Sequence, residues 1–427
     1  MKKYIFAALA ASACVPAFAV DNYNDSVAIF QERTHIVTGN ANSADADVMR
    51  TYYSRENMAW ADPLAPRFIL LDRQGQIAFG IGGQMYATAS YDFDGAVNSS
   101  GFATYDISVP SDPALRQRFG ADLSHSSLFL KLVGKTKKYG IYQVYMQANF
   151  TGDNGGYGFR LKQAYVTLGH LTAGLASSTF TDAATEAPTV DPEGPSGQVS
   201  AKNMLFRYVT PVRNGFSAAI SAEVPSAAYT TNTANEAIAQ RVPDIPAYVQ
   251  YSWAENQHVR ISGLFRDLAY RNTLTGRNHL KPGWGVQFSG ISNLDSYGFA
   301  KVFGHIAYGR GFAHYVNDLG GSGFDLMPVG ADGEMEAPKM MAWTAGVYLN
   351  FTPKLTVTGS FSRAQTYGLS HLGGNTYRYG QYAVANAYYQ VDANFRVGAE
   401  YIHGWRKNYD GEQGNANRLD FLLQYAF

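Results

Sequence analysis

Basic side chains placed at every second position, opposite apolar ones, are the residues of this chain most able to do chemistry. In 257–268, Val259 and Ile261 share one phase, and Arg260 and Arg266 share the other. Alternate side chains of a β-strand point to opposite faces of the sheet, so these arginines lie on a polar face that backs an apolar one. Guanidinium groups pair well with carboxylates. The spacing therefore predicts a polar surface suited to anionic groups.

The same phase argument places further basic side chains on the polar face. They are Arg207 in 202–210, Lys301 and His305 in 297–309, Arg396 and Arg406 in 394–406, and Arg418 near the end of the chain. Arg160 and Lys162 share a phase with Ala164 and Val166, so the pattern does not show which face of the strand they occupy. The acids that fall on the polar face are Glu223, Glu400 and Asp420. Basic residues thus exceed acidic ones there, which favours anions in an enclosed, water-filled space.

The segment 176–201 gathers carboxylates on a backbone stiffened by three prolines. Its acids are Asp182, Glu186, Asp191 and Glu193. It is also the third of the long connections in the chain. We expect this segment to fold back into the space that the strands enclose and to form its narrowest point, opposite the basic residues. An ordinary surface loop is the alternative.

The end of the chain shows which element must position these groups. Positions 419, 421, 423, 425 and 427 are apolar or aromatic, whereas Arg418, Asp420 and Gln424 lie on the other phase. The alternation describes a strand with one apolar and one wet face, ended by an aromatic residue. The last strand of a bacterial outer-membrane barrel has this pattern, because its outer face meets lipid and its inner face meets a water-filled lumen.

Residues 76–427 divide into alternating segments of this kind. The predicted strands are 76–92, 122–134, 139–151, 158–169, 171–178, 202–210, 214–224, 245–254, 257–272, 280–294, 297–310, 338–351, 354–368, 376–391, 394–407 and 415–427. Every second connection is a tight turn and the intervening ones are mostly longer, as periplasmic turns and outer loops are in membrane barrels. We predict an all-β fold, namely a porin-like transmembrane antiparallel β-barrel of about 16 strands with an inward-folded third outer loop.

The start of the chain predicts export. Lys2 and Lys3 precede an apolar run, and Ala17 and Ala19 supply the small residues of a cleavage site. Residues 1–19 are therefore expected to be a signal peptide, which directs the protein towards the outer membrane. The one cysteine, Cys14, lies inside it, so the mature chain is expected to contain neither a disulfide nor a thiolate metal site.

Residues 20–75 do not alternate. We expect a periplasmic leader, a packing arm between subunits, or a plug in the lumen. Ser43 could cap a short helix that ends by Pro63, with Val48 and Tyr52 on one face, and 67–72 could add a short strand.

The composition excludes several classes of protein. Lys plus Arg and Asp plus Glu number 34 each, so the chain lacks the basic excess of a nucleic-acid-binding protein. Only 16% of residues are charged, and no apolar run of 18 or more residues follows the predicted signal peptide, which argues against helical membrane spans. No residue spacing matches a calcium loop, and we expect no metal or cofactor.

Several strand and loop motifs resemble a known family. Gly82-Gly83-Gln84-Met85-Tyr86 is similar to the first strand of DcaP-type trimeric outer-membrane porins. The stretch 161–168, Ser177 to Asp182 with Glu193-Gly194-Pro195, and the motifs between Arg207 and Pro225 are similar to that family's fourth strand, third loop and following hairpin. The resemblance covers roughly 80–225. Its better-known members carry a coiled-coil segment before the barrel, and 20–60 shows no sustained heptads.

The resemblance implies a homotrimer of pores, set in lipid and lipopolysaccharide, that passes small anionic solutes, above all dicarboxylates. Gln163 and Thr167, taken as facing outward, agree with subunit contacts. A sugar-type porin is the alternative, with a track of inward tyrosines, namely Tyr86, Tyr145, Tyr248 and Tyr348. The only feature that would support a surface adhesin or structural barrel is the length of the outer loops. An enzyme is not expected, because the one local cluster, His314 with Ser322, lies in a glycine-rich loop.

Overall fold

The architecture was analysed in a computed structural model, which describes residues 35–38, 45–54, 60, 62–63, 68–72, 74–152 and 157–427. The predicted signal peptide lies outside the described residues. In this part of the chain, the wall strands are β3 (Ile77–Asp94), β5 (Ser127–Thr136), β6 (Gly140–Gly152), β7 (Gly158–Leu168), β8 (Leu171–Ser177), β9 (Lys202–Val209), β10 (Phe216–Glu223), β12 (Ile245–Ala254), β13 (Gln257–Asn272), β14 (Arg277–Asn293), β15 (Ala300–Arg310), β18 (Lys339–Asn350), β19 (Leu355–Tyr367), β20 (Tyr377–Gln390), β21 (Phe395–Asn408) and β22 (Gln413–Ala426).

These sixteen strands close into one antiparallel barrel, as predicted. Each pairs with the next along the chain, and β22 pairs back onto β3 in a register that includes Leu423 opposite Ala87. Beyond the last strand, Phe427 exchanges two backbone hydrogen bonds with Gly83. A closed sheet leaves no unpaired edge, which is the condition for strands to cross a membrane.

Connection lengths alternate around the barrel. Tight turns such as 169–170 and 255–256 lie at one end, here called the turn end, and long connections such as 178–201 and 311–338 lie at the other, the loop end. The remaining short strands decorate the barrel. They are β1 (His35–Thr38), β2 (Phe68–Leu71), β4 (Arg118–Asp122), β11 (Asn235–Ala237), β16 (Met327–Pro328) and β17 (Met335–Glu336). The sequence pattern missed β4 and β11, which pair beside the loop ends of β3 and β13.

The outer face is apolar and the inner face is polar. On β13, Ile261 and Phe265 are exposed while Arg260 and Arg266 are buried, and the same two-residue rhythm runs through the neighbouring strands. Apolar side chains exposed all around a barrel are unfavourable in water but favourable against lipid tails. Among the described residues, no helix has the length and apolar character needed to cross a membrane.

A short helix packs inside the turn end. Helix α1 (Ala46–Tyr53) begins after Asp45, whose carboxylate accepts hydrogen bonds from the N–H groups of Asp47 and Val48 at 2.9 and 3.3 Å. The prediction that this helix is capped by Ser43 and continues towards Pro63 is therefore wrong, because Asp45 caps it and the backbone is already extended at Ser54. Its buried Val48 and Tyr52 belong to a cluster that includes the inner-face residues Ala78 and Val133.

Closure at Phe427 gives a first prediction. A Cβ added at Gly83 would lie 2.6 Å from the Phe427 ring and 3.0 Å from the carbonyl oxygen of Ser127. We expect Gly83→Val to push the terminal strand off β3 and to cost about 1–3 kcal/mol, the usual range for overpacking. The midpoint of urea unfolding in detergent should fall.

Gly263→Val is the matched control for this substitution, since a Cβ at Gly263 meets nothing within 4 Å. Equal unfolding midpoints for the two variants would contradict a closing role for the Gly83–Phe427 contact.

Candidate functional site: the lumen and the third loop

The segment 178–201, here called the third loop, is bonded to several walls of the barrel at once. Asp182 accepts a hydrogen bond from the Ser289 hydroxyl on β14 at 2.6 Å. Further along, the backbone N–H groups of Val190 and Asp191 both donate to Glu400 on β21 at 2.7 Å. The N–H of Gly197 donates to Ser362 on β19 at 2.6 Å. The third loop therefore contacts inner-face side chains of strands that lie far apart around the wall.

Two of its four acids are held by side chains or backbone groups of other segments. Asp182 lies 2.9 Å from the His258 ring nitrogen and 3.6 Å from the Arg260 guanidinium. Burial alone would raise the pKa of Asp182, but Arg260 and the hydrogen bonds from His258 and Ser289 outweigh it and hold that pKa below its usual range. Asp191 accepts from the N–H of Phe102 at 2.9 Å and from the Tyr382 hydroxyl at 3.0 Å. These carboxylates hold the loop in place.

Burial suppresses charge on the other two acids. It raises the pKa of Glu186 to about 8. Burial, with the neighbouring Asp191 and Asp318, raises the pKa of Glu193 to about 7. Asp191 itself is raised to about 6, also chiefly by burial. A carboxyl group removed from water favours its neutral form, so the third loop carries less negative charge near neutral pH than its composition indicates.

Two of the predicted inward arginines anchor loops. The Arg266 side chain is 0% exposed and pairs with Asp244 at 3.0 Å and Asp325 at 2.7 Å. It ties the connections 224–244 and 311–338 to β13. Arg418 pairs with Asp92 on β3 at 2.7 Å and donates to the carbonyl of Asn98 at 2.9 Å. Both side chains point inward as the strand phase requires, but protein groups already satisfy them.

The predicted basic residues that have no carboxylate within ion-pair distance, counted over the described chain, are Arg160, Lys162, Arg207, Lys301, Arg396 and Arg406. Several bond to uncharged acceptors instead. Arg207 donates to the Ser177 carbonyl at 3.2 Å, and Arg406 donates to the Tyr105 carbonyl. His305 lies at 3.1 Å from the N–H of Val199 and at 3.2 Å from the carbonyl of Gly197, so it also supports the third loop.

A β-bulge in β7 explains why the sequence pattern did not show the orientation of Arg160 and Lys162. The register of β6 with β7 shifts after Gln147 pairs with Gln163, and Asn149 then pairs with Arg160. The extra residue on β7 lets Lys162 and Gln163 both reach the inside. Gln163 is buried there, which overturns its reading as an outward residue at a subunit contact. Thr167 also turns inward, where its hydroxyl lies 3.2 Å from that of the buried Thr172.

Arg160 and Lys162 line a polar cavity at the loop end. Its volume is about 520 Å³, and its walls include Glu193 of the third loop, Asp318 and His125. Burial and the nearby Lys162 lower the pKa of His125 to about 4, so this histidine is neutral above pH 5. The cavity thus places two basic side chains beside carboxyl groups whose pKa values are raised.

Three of the four predicted inward tyrosines are buried, and only Tyr348 is partly exposed, so they do not form a continuous exposed track. Tyr86, Tyr145 and Tyr248 are each at most 9% exposed. The Tyr86 hydroxyl donates to the Val190 carbonyl at 2.8 Å, and the Tyr248 ring lies beneath Arg260 at 4.1 Å. The Tyr86 hydroxyl and the Tyr248 ring face are therefore used by protein contacts.

Strand phase missed the acids that complete this network. Asp92 lies on the polar face of β3, so phase could have placed it inside. Asp244, Asp318 and Asp325 lie in connections, where no period shows which way a side chain points. Lys202, at the very start of β9, was missed for the same reason.

A closed sixteen-strand barrel with an apolar outer face and a charged, polar interior is the architecture of an outer-membrane channel. The family model described as porin subfamily matches residues 124–419, well over half of the chain. The chain belongs to this porin family and forms a channel in the bacterial outer membrane.

Solved structures share the fold. The outer membrane channel DcaP of Acinetobacter baumannii aligns with a TM-score of 0.71 at 21% identity, covering 84% of this chain and 99% of its own. The anion-selective porin from Comamonas acidovorans aligns at 0.54 with 12% identity, covering 82% and 100%. OmpT of Vibrio cholerae aligns at 0.51 with 11% identity, covering 84% and 100%. No curated protein is similar enough in sequence to match.

The close packing of the third loop against the barrel wall at Gly197 gives a second prediction. A Cβ at Gly197 would lie 2.2 Å from the Arg363 carbonyl oxygen and 2.6 Å from that of Trp343, both on rigid wall strands. We expect Gly197→Ala to destabilise the packing of the third loop against the wall by about 1–3 kcal/mol. Larger and noisier conductance states should then appear in single-channel records.

Gly359→Ala on β19 is the control, because its nearest contact would be an ordinary 3.9 Å. Identical records from the two variants would show that the third loop does not limit the current.

Proposed function

We propose that the protein is a passive channel for small anionic solutes, dicarboxylates among them, and that the third loop forms its constriction. The observation that carries this proposal is the pair Arg160 and Lys162 at the polar cavity. Neither has a carboxylate within ion-pair distance among the described residues, so both charges are available to a solute. Two cations on one wall can engage a carboxylate each, or one carboxylate together.

The electrostatics of the third loop support the same reading. Asp182 is paired with Arg260 and hydrogen-bonded to His258, and burial raises the pKa of Glu186 and Glu193 to about 8 and 7. The negative charge of the third loop that opposes an anion is therefore reduced at neutral pH and falls further below pH 7. In a narrow, partly dehydrated space, such a balance sets selectivity more strongly than the net charge of the whole chain.

The network revises which basic residues act on solutes. Arg266, Arg260 and Arg418 serve to hold the loops, since their guanidinium groups are paired with carboxylates. Arg160 and Lys162 line the polar cavity, and Arg207 bonds to Ser177, the residue before the third loop; we assign solute contact to these three. Arg406 anchors the Tyr105 carbonyl and is assigned to the wall.

We also propose that the channel is a homotrimer in the outer membrane, set in lipid and lipopolysaccharide. This assignment rests on the resemblance to DcaP-type trimeric porins, because the inward Gln163 and Thr167 no longer support it. Native mass spectrometry in detergent would give the subunit number directly. A monomer would refute the trimer while leaving the solute proposal intact.

A third prediction tests the basic pair. Lys162→Gln and Arg160→Gln should each raise the succinate concentration for half-block of the current by about two- to fivefold, since a partly exposed charge contact is worth up to ~1 kcal/mol. The measurement is single-channel block in a planar bilayer, after the zero-current potential has been recorded across a tenfold KCl gradient.

Arg271→Gln is the matched control. Arg271 is also a loop-end base but lies on the outward phase of β13 and pairs with Glu236 at 3.7 Å. Its substitution should leave block unchanged. Cation preference of the wild type, or block that is indifferent to residues 160 and 162, would refute the proposal.

A fourth prediction concerns pH. Glu193 and Glu186, with pKa values of about 7 and 8, lose protons as the pH rises from 6 to 8 and add negative charge to the third loop. Anion preference should therefore be strongest near pH 6 and weaken towards pH 8. His125 stays neutral over this range and should not contribute.

The readout for this titration is the zero-current potential at each pH. Glu193→Gln should flatten the lower part of the curve and Glu186→Gln the upper part. A wild-type curve that does not change between pH 6 and 8 would contradict the titration.

A further inference from the structure

Described residues of the N-terminal segment lie in the lumen next to the third loop. The Trp60 ring centre is 5.7 Å from those of Tyr348 and Tyr388, both inner-face residues. It packs against a buried cluster that contains Tyr388 and the third-loop residue Val190. Trp60 therefore packs on the barrel wall, against a cluster to which the third loop also contributes.

The Asp62 carboxylate contacts a different part of the barrel wall from the part that Trp60 contacts. Its Oδ1 accepts a hydrogen bond from the Gln163 amide on β7 at 3.0 Å and lies 3.9 Å from the Lys202 ammonium on β9. The Asp62 side chain is only 5% exposed. Strands β7 and β9 are both neighbours of β8, from which the third loop departs. The carboxylate thus sits in a polar pocket of the wall beneath that loop.

The surroundings of Asp62 are those that a solute carboxylate would need. Lys162 is close enough to interact electrostatically with both Lys202 and Asp62. The Gln163 amide that Asp62 uses is itself positioned by Gln147, whose Oε1 lies 3.2 Å from the same nitrogen. An amide donor fixed by a neighbour and two ammonium groups form a site for one carboxylate.

Trp60 covers a second cation on the opposite side of the segment. The Arg396 guanidinium carbon lies 5.0 Å from the ring centres of Trp60 and of Tyr388, so the group lies against both of these adjacent rings. Its Nε also donates to Gln424 at 2.8 Å. The N-terminal segment therefore engages two basic positions of the lumen, one through a carboxylate and one through an aromatic face.

From these contacts we propose that Gln163 and Lys202 form a carboxylate-binding subsite of the channel, and that Asp62 occupies it as an internal ligand that solute dicarboxylates displace. This inference rests on the proposed anion channel. A tethered ligand competes at an effective concentration that its linker sets, and the solute's apparent affinity falls by the fraction of sites the tether fills. Displacement frees Lys202 and uncovers Arg396 in one movement.

The test uses the full chain in planar bilayers with succinate as the probe. Asp62→Asn keeps the side-chain shape and removes its charge, and should lower the half-block concentration roughly three- to tenfold. Trp60→Ala changes no charge but loosens the same segment, so it should lower the half-block concentration too. Adding Lys202→Gln to Asp62→Asn should reverse the gain, because the solute then loses the ammonium.

Asp47→Asn is the control within the same segment. It removes one carboxylate from α1, while Lys135 keeps its ion pair with Asp45 at 2.8 Å. Block should stay at the wild-type level. Unheated migration on an SDS gel verifies that each variant retains the folded barrel.

The outcomes separate the two proposals. A wild type that prefers anions, with half-block unchanged in both Asp62→Asn and Trp60→Ala, would overturn the internal ligand and leave the anion channel standing. Tighter block in Asp62→Asn alone would show a long-range charge effect and also overturn displacement. Cation preference in the wild type would overturn the anion channel and, with it, the subsite.

Discussion

Backbone hydrogen bonding in a medium without water is the constraint on which this structure depends. Every N–H and C=O of a strand in lipid needs a partner, so the sheet must close. The closing pair is β22 with β3, extended by the two bonds between Phe427 and Gly83. Closure separates an outside that only apolar side chains tolerate from an inside that can hold charge. The ionic network of the lumen exists because the wall shields it from lipid and partly from water.

The ionic network determines which basic side chains of the lumen are not already paired with a carboxylate and can therefore interact with a solute. A buried guanidinium is costly unless it is paired and fully hydrogen-bonded. Arg266 meets this condition with Asp244 and Asp325, and Arg418 meets it with Asp92. Arg266 thereby ties two long connections to β13, and Arg418 holds the connection after β3 through the carbonyl of Asn98. The cations left over are therefore a subset of those on the inner face. Arg160, Lys162 and Arg207 lie on β7 and β9, beside the segment that carries Asp62, whereas Lys301, Arg396 and Arg406 lie on β15 and β21.

The face of the sheet on which a strand side chain lies could be predicted from the sequence, but the residues with which it forms ion pairs could not. Arg207, Arg260 and Arg266 lie inside because a period of two is a local property of the strand. The partners of Arg266 are 22 and 59 residues away along the chain, in connections without any period. The side of Lys162 was ambiguous because a bulge beside Gln163 breaks the alternation at that point. The cap of α1 was predicted two residues too early, because Ser and Asp are both good caps; Asp45 is the cap and also pairs with Lys135 at 2.8 Å.

The sequence by itself determined the class of fold, the number of wall strands and the face on which most charged side chains lie. Alternation, turn length and the terminal aromatic residue are short-range signals, and each constrains the backbone within a few residues. Only the tertiary structure decided which inward cations are neutralised, how the third loop is held, and that Asp62 reaches the wall at Gln163 and Lys202. These contacts join positions up to 326 residues apart along the chain, as between Arg418 and Asp92, and their geometry depends on the curvature of the closed sheet.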